Sequence, residues 1–212
     1  FRLWWIPPGE ASGGGGYVRY PNADLLDILA LESDRAAALV VGEDLGTVEA
    51  GVREELAERR ILAYRVLWFE DDAPPAWPTL SMAAVSTHDL PTVAGLWSGT
   101  DRTEQQRYGV DSGAEAMQEM RSRLGALPGD AGDDAAIEAA YTRLAGAPSA
   151  LRTITLEDAV GERARPNLPG VTSRPNWSLP LRVALEELPA EPGPGRLAAL
   201  MRSADPEGPT ER

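Results

Sequence analysis

The chain has 212 residues, enough for one large domain or two small ones. Hydrophobic residues make up 43% and charged residues 25%, the proportions of an ordinary soluble globular protein. The formal net charge is −13, every basic residue is an arginine, and there is no cysteine. This composition argues against nucleic acid or an anionic membrane as the main partner. It also excludes a disulfide, a thiolate metal site and a cysteine nucleophile.

Further classes are excluded by what the sequence lacks. His88 is the single histidine, which rules out a multi-histidine metal centre. No apolar run approaches the roughly 20 residues that span a bilayer, and no signal peptide is visible. We expect a cytoplasmic location. The chain begins with Phe1 inside an apolar segment, so we expect it to continue a longer polypeptide.

Strand-like and helix-like segments alternate along the chain. Short apolar runs predict strands at 36–42, 64–69, 81–87 and 151–156. Helices are predicted from a cap at Asn22, from Thr47 to about Arg60, and from Pro91 onward, because apolar residues recur there at helical spacing. Two more are predicted at 114–124 and 135–144. This alternation indicates an α/β fold with a parallel sheet.

Acidic residues follow each predicted strand, in the pairs Glu43-Asp44, Glu70-Asp71, His88-Asp89 and Glu157-Asp158. In (β/α)8 barrels the catalytic groups lie at the carboxyl ends of the strands. Loop solvation or helix capping is the alternative for any one pair, but the repetition favours a shared acidic mouth. Because a full barrel needs about 250 residues, we predict the C-terminal half of a (β/α)8 TIM barrel, with a helical insertion between the last two strands.

The same reasoning divides the chain. Residues 1–188 are predicted to form the partial catalytic barrel, with the insertion at about 101–149. Residues 189–212 are rich in Pro, Gly and Glu, so we expect a fraying tail that holds a short helix near 196–201.

Glu43, His88 and Asp89 are the residues best suited to catalysis. A carboxyl group at the end of an apolar strand, such as that of Glu43, can be partly desolvated, which favours the protonated form that a general acid needs. Alternatively, Glu43 pairs with an arginine. His88 and Asp89 follow a strand where the chain turns, so both side chains could reach one ligand. The alternative for His88 is a hydrogen-bonded structural histidine.

Aromatic residues indicate the kind of ligand. The chain has six Trp and two Phe, and Trp and Tyr offer flat apolar faces with a polar edge, which suits stacking on sugar rings. The alternative is a core position for Trp4, Trp5, Trp68, Trp97 and Trp177. No Gly-Lys-Ser/Thr follows the glycine run 13–16, which argues against a phosphate-binding loop and favours a mobile loop near the site.

Two carboxylate motifs resemble those of a known family. Val41-Gly-Glu-Asp-Leu-Gly-Thr-Val48, followed by Ser86-Thr-His-Asp-Leu-Pro-Thr92, is similar to the 4-α-glucanotransferases (amylomaltases, disproportionating enzymes) of glycoside hydrolase family 77. The segments 3–8, 167–170 and 174–177 are similar to other parts of that family. The resemblance covers nearly the whole chain except the polar insertion and the tail.

The resemblance implies roles for individual residues. Glu43 would be the general acid/base, Asp89 the carboxylate that stabilises the transition state, and His88 a hydrogen-bonding partner of the sugar. Trp5, Tyr17, Asn167 and Trp177 would contribute to substrate binding, with 8–21 as a loop over the acceptor side. No metal or cofactor is required. The ligands would be maltooligosaccharides and other α-1,4-glucans, with no nucleic acid and no membrane as partners.

A retaining glycosidase needs two carboxyl groups ~5–5.5 Å apart, one as nucleophile and one as acid/base. The resemblance places the family's nucleophile, an Asp, about six residues before Phe1 and so outside this chain. We therefore expect this chain alone to be catalytically incomplete. Two alternatives remain open: a non-catalytic glucan-binding protein, and a hydrolase of the α-amylase superfamily.

Overall fold

The protein is represented by a computed structural model that describes residues 1–110 and 113–203. Residues 204–212, the end of the predicted tail, lie outside the described residues. The chain divides into two compact units, Phe1–Tyr64 and Arg65–Arg212, called here the first and second units.

The first unit opens with an antiparallel hairpin. Strands β1 (Arg2–Trp5) and β2 (Gly16–Arg19) pair in a register that places Trp4 opposite Tyr17 and Trp5 opposite Gly16. The elements that follow in this unit alternate between helix and strand. They are α1 (Asn22–Ala36), β3 (Val41–Gly42), α2 (Val52–Glu58) and the start of β4 (Leu62–Val66).

A small apolar core holds these elements together. Leu26 of α1, Leu56 of α2 and Ile61 before β4 are buried against one another. Strands β3 and β4 run parallel, with Val41 opposite Leu62 and Gly42 opposite Ala63. The strand end that carries Glu43 is therefore fixed by a parallel pair next to this core.

Several boundaries predicted for this unit are wrong. In the predicted strand 36–42, only Ala36 belongs to α1, 37–40 form a connecting loop, and only the last two residues pair as β3. Thr47 caps no helix, because α2 begins five residues later, after Gly51 adopts a φ of +90° that suits glycine. Asn22 is the first residue of α1 rather than its cap, and its side-chain amide instead donates a hydrogen bond to Glu55.

The second unit contains the remaining strands and most of the helices. In chain order they are β5 (Ser81–Ala84), α3 (Val93–Ser98), α4 (Thr100–Arg107), α5 (Ala114–Ser122), α6 (Asp133–Ala145), β6 (Leu151–Arg152), α7 (Leu156–Ala159) and α8 (Pro192–Ser203). Strands β5 and β6 are parallel, with Met82 opposite Leu151. Just after β4, the Leu67 amide donates to the Ala84 carbonyl oxygen of β5. Parallel pairing between helical segments confirms the predicted α/β class.

The core of the second unit lies between its helices. Leu96 of α3, Ile137 and Tyr141 of α6, and Leu197 of α8 are all fully or almost fully buried. The predicted helices 114–124 and 135–144 are confirmed as α5 and α6. The predicted strand 151–156 is wrong beyond residue 152, because Thr155 accepts a hydrogen bond from the Asp158 amide and so caps the short helix α7.

The part of the predicted tail that the structure describes is not frayed. Helix α8 spans 192–203 and packs on α6 and α7, with Leu197 and Met201 buried. The short helix expected near 196–201 is therefore the centre of a longer, docked one. Among residues 1–110 and 113–203, no helix combines the length and apolarity needed to cross a membrane.

Candidate functional site

The loop after β5, residues 86–92, carries the two candidate catalytic side chains of the second unit, His88 and Asp89. Its turn is held by the buried Ser86 hydroxyl, which donates to the Pro91 carbonyl oxygen at 2.8 Å. Thr87 Oγ1 accepts a hydrogen bond from the Asp89 amide. His88 Nε2 then lies 3.4 Å from Asp89 Oδ1, and both side chains remain about half exposed. The loop therefore presents an imidazole and a carboxylate together at the surface of the unit.

A second segment, residues 163–177, reaches this loop from far along the chain. Asn167 donates its side-chain amide to Asp89 Oδ1 at 2.7 Å, and its backbone amide donates to the His88 carbonyl oxygen at 3.1 Å. The structure thus brings together three of the residues predicted from sequence. The Asn167 side chain fixes one oxygen of the Asp89 carboxylate.

Trp177 completes the group. Its ring centroid lies 4.9 Å from that of His88, with the planes tilted by 53°, and the side chain is 65% exposed. Its φ of +62° is left-handed, which costs a bulky residue roughly 1–2 kcal/mol. Its amide donates to the Pro166 carbonyl oxygen at 3.0 Å. An exposed aromatic face held in an unfavourable backbone conformation is typical of a functional position.

A cavity of about 390 Å³ opens beside this group. Besides His88 and Trp177 it is lined by Thr87, Thr155 and Glu157. Thr155 and Glu157 were not among the predicted site residues. Glu157 belongs to the predicted acidic mouth, and it lines the same cavity as His88.

The other member of that acidic pair is not at the surface. Asp158 is 1% exposed and accepts hydrogen bonds from the Val93 amide and the Tyr141 hydroxyl, both at 2.8 Å. Burial raises the pKa of Asp158 to about 6, against the opposing effect of these donors. Burial, and next the Asp158 carboxylate, hold the pKa of Tyr141 well above its ordinary value. The prediction that Asp158 contributes to an acidic mouth is therefore wrong, since its carboxyl joins three helices inside the unit.

Glu43 lies directly after β3 in the first unit. Its carboxylate is exposed and accepts a hydrogen bond from the Leu45 amide at 3.0 Å. The expected partial desolvation of Glu43 is thus not found in this chain. Burial raises the pKa of Tyr64, and the negative charge of Glu43 raises it further.

Asp44 differs from the adjacent Glu43 because its side chain is buried. It is buried, accepts the Tyr64 amide at 2.7 Å and pairs with Arg53 at 2.8 Å. Asp44 is therefore a structural residue and does not contribute to the predicted acidic mouth. Because Asp44 points into the unit, the adjacent Glu43 is left at its surface.

Trp5 and Tyr17 lie on the hairpin of the first unit, where each is 54% exposed. The Trp5 indole donates to the Tyr20 hydroxyl at 2.8 Å, and the Arg2 guanidinium lies 3.9 Å above the Tyr17 ring. Trp4 packs edge-on against Tyr17. The hairpin therefore offers exposed aromatic faces, which suit sugar rings.

Arginine and acidic residues behind the 86–92 loop were missed from sequence. Arg165 pairs with Asp101, and Arg174 with Glu104, so that α4 is tied to the 163–177 segment. Their spacing of 64 and 70 residues along the chain gives no local pattern to recognise. Arg174 lies in the motif 174–177 that resembles the family, whereas its partner Glu104 lies in no such motif.

Comparison with known proteins identifies the family. The family profile described as 4-alpha-glucanotransferase, of glycoside hydrolase family 77, matches residues 1–185. The chain is 39% identical to the 4-alpha-glucanotransferase of Mycobacterium tuberculosis H37Rv, across 96% of this chain and 32% of that protein. It is also 39% identical to that of Haemophilus influenzae, across 58% of this chain and 18% of that protein.

Solved amylomaltase structures are also similar to this chain. The amylomaltase from Corynebacterium glutamicum superposes with a TM-score of 0.82 at 32% identity, over 95% of this chain and 34% of that one. An amylomaltase from Streptococcus agalactiae, solved with acarbose, shares the fold with a TM-score of 0.63 at 16% identity, over 97% of this chain and 38% of that one. The chain thus spans about a third of the length of its full-length relatives.

Fold and site together define the class: an α/β protein of the amylomaltase type, with carboxylates after its parallel strands. Within that class, the chain belongs to the 4-alpha-glucanotransferase family, glycoside hydrolase family 77.

Proposed function

We propose that this chain forms the C-terminal part of a 4-α-glucanotransferase, which transfers α-1,4-glucan segments between maltooligosaccharides with retention of configuration. Membership of the family supports this proposal, and the observation that carries it is the group formed by His88, Asp89, Asn167 and Trp177. A carboxylate with one oxygen already fixed, beside an imidazole and an exposed indole, suits a sugar ring with several hydroxyls.

In the proposed reaction, Glu43 protonates the leaving glycosidic oxygen while a carboxylate nucleophile attacks the anomeric carbon. Glu43 then removes the proton from the 4-hydroxyl of the incoming glucan, which restores the acid and completes the transfer. We assign the nucleophile to an Asp that precedes Phe1 in the whole protein, and the present chain to the C-terminal half of the barrel.

The remaining residues bind the substrate in this proposal. Asp89 and His88 hold the distorted sugar in the transition state. Trp177 and Asn167 shape the donor side, and Trp5 and Tyr17 present aromatic faces to the acceptor glucan. The chemistry uses no metal or cofactor, and a cytoplasmic location stays a prediction.

The test is the Glu43→Gln substitution in the whole protein. We expect transfer between maltotriose molecules, measured as glucose release, to fall about 10²–10⁴-fold, because the amide cannot shuttle a proton. Glu54→Gln is the matched control, since Glu54 is an exposed glutamate on α2. Near-normal glucose release by the Glu43 variant would refute the assigned role.

A further inference from the structure

One arginine of the 163–177 segment is almost completely buried behind the 86–92 loop. The side chain of Arg165 is 5% exposed and that of its partner Asp101 is 1% exposed. Arg165 Nε donates to Asp101 Oδ1 at 2.6 Å, and Nη2 donates to Asp101 Oδ2 at 2.5 Å. This two-bond geometry fixes the plane of the guanidinium group.

The third nitrogen of the same guanidinium points to the candidate site. Arg165 Nη1 donates to the backbone carbonyl oxygen of Asp89 at 2.8 Å. All three guanidinium nitrogens therefore donate hydrogen bonds. Two bind the Asp101 carboxylate at the start of α4, and one binds Asp89, the residue proposed to stabilise the transition state. From the other side, Asn167 holds the Asp89 carboxylate at 2.7 Å. Backbone and side chain of Asp89 are thus both held by the 163–177 segment.

A second buried arginine supports the first. Arg174 Nη2 donates to the Arg165 carbonyl oxygen at 2.7 Å, while Nε and Nη2 pair with Glu104 at 2.9 and 3.2 Å. Both carboxylates, Asp101 and Glu104, lie on one face of α4, three residues apart. Helix α4 therefore holds both arginines in place through its two carboxylates.

We propose that Arg165 is a positioning residue for Asp89. It acts through the Asp89 carbonyl oxygen and is held in place by Asp101. This inference rests on the proposed function, and it adds a residue that touches neither substrate nor reacting atoms. A lysine at position 165 keeps the charge, but a single ammonium group cannot hold both Asp101 oxygens and the Asp89 carbonyl oxygen in the same plane. Asp89 then loses its fixed backbone, whereas the binding surface of Trp177 and His88 stays.

The experiment is a double-mutant cycle in the whole protein with maltotriose as substrate. Arg165→Lys is expected to lower kcat roughly 10- to 100-fold, with KM changed less than about 3-fold, because misplacement affects the transition state more than binding. In an Asp89→Asn background the same substitution is expected to change kcat less than about 3-fold, because the group being positioned is already gone. A role in stability alone would produce equal losses in both backgrounds.

Arg163→Lys is the matched control. Arg163 lies on the same segment and pairs with Asp133 on α6 at 2.6 Å, but its side chain is half exposed. Its substitution is expected to leave kcat unchanged. If Arg165→Lys lowers the melting temperature, Asp101→Asn provides a second route, since it keeps the side-chain size and removes the charge that holds Arg165. It is expected to give the same selective loss of kcat.

The outcomes separate the two proposals. Equal losses in the two backgrounds, or a loss no larger than that of Arg163→Lys, overturn the positioning role while the proposed function stands. A wild-type protein that transfers no glucan overturns the proposed function and this inference with it.

Discussion

At the scale of single residues, Asp158 shows how a carboxyl group can be buried without an arginine. Its two oxygens accept hydrogen bonds from the Val93 amide, at the start of α3, and from the Tyr141 hydroxyl on α6. These donors lower the pKa of Asp158, but burial outweighs them and raises it to about 6. The carboxyl group therefore titrates in a range where most surface carboxylates are already charged.

This raised pKa predicts the pH dependence of stability. A group with a folded-state pKa above its unfolded value stabilises the protein at low pH, and this contribution is lost as pH rises through the folded value. For Asp158 the loss falls between about pH 4 and pH 7 and amounts to about 3 kcal/mol, from values of 3.8 and about 6. In the Asp158→Asn variant, which cannot ionise, this part of the pH dependence is expected to disappear.

The measurement is urea unfolding of the whole protein and its variant at several pH values. The unfolding free energy of the wild type, minus that of Asp158→Asn, is expected to fall as pH rises from about 4 to about 7. Asp134→Asn, an exposed change on α6, serves as control and is expected to show no such trend. A difference independent of pH would contradict the assigned titration.

At the scale of elements, helix α8 is packed so closely on α7 that one glycine has no room for a side chain. A Cβ at Gly193 would overlap the Ala159 carbonyl oxygen, which is backbone and cannot rotate away. Two residues further on, a Cβ at Gly195 would meet nothing within 4 Å. The same substitution at these two positions therefore measures the docking of the helix separately from its propensity.

Gly193→Ala is expected to destabilise the protein by about 1–3 kcal/mol, because the added methyl group forces α8 away from α7. Gly195→Ala is expected to stabilise it by about 0.5–1 kcal/mol, since alanine is the better helix former. Differential scanning calorimetry checks both. If α8 frayed, as the composition of this segment suggested, the two substitutions would behave alike.

The elements also show how far sequence reasoning reaches. The predicted bounds of α5 and α6 are close to the observed ones, because each helix is formed within one continuous chain segment. Composition misled for α8, where Pro and Gly predicted fraying outside a short helix near 196–201, although the helix spans 192–203 with Leu197 and Met201 buried. Asp89 and Asn167 could be predicted because both lie in motifs that resemble the family. The role of Arg165 could not, because it depends on a contact with Asp101, 64 residues away in the chain. No local pattern encodes such a contact.

At the scale of the whole molecule, the chain is a strongly acidic α/β protein. It covers about a third of the length of the Mycobacterium tuberculosis relative. Its residues supply one proposed acid/base and one proposed stabilising carboxylate, whereas a retaining mechanism also needs a nucleophile. Activity is therefore a property to be measured on the whole protein. The same carboxylates would serve a hydrolase, so their presence alone does not decide between water and a glucan as the acceptor.

The products decide between these acceptors. With maltotriose as the single substrate, a transferase is expected to form glucose together with maltooligosaccharides longer than the substrate, since each glycosyl group is passed to another sugar. A hydrolase would release only shorter sugars, because water ends each cycle. Time-resolved chromatography of the products separates the two, with the Glu43→Gln variant as the blank for both. Products confined to maltose and glucose would reject the transferase and favour a hydrolase built on the same carboxylates.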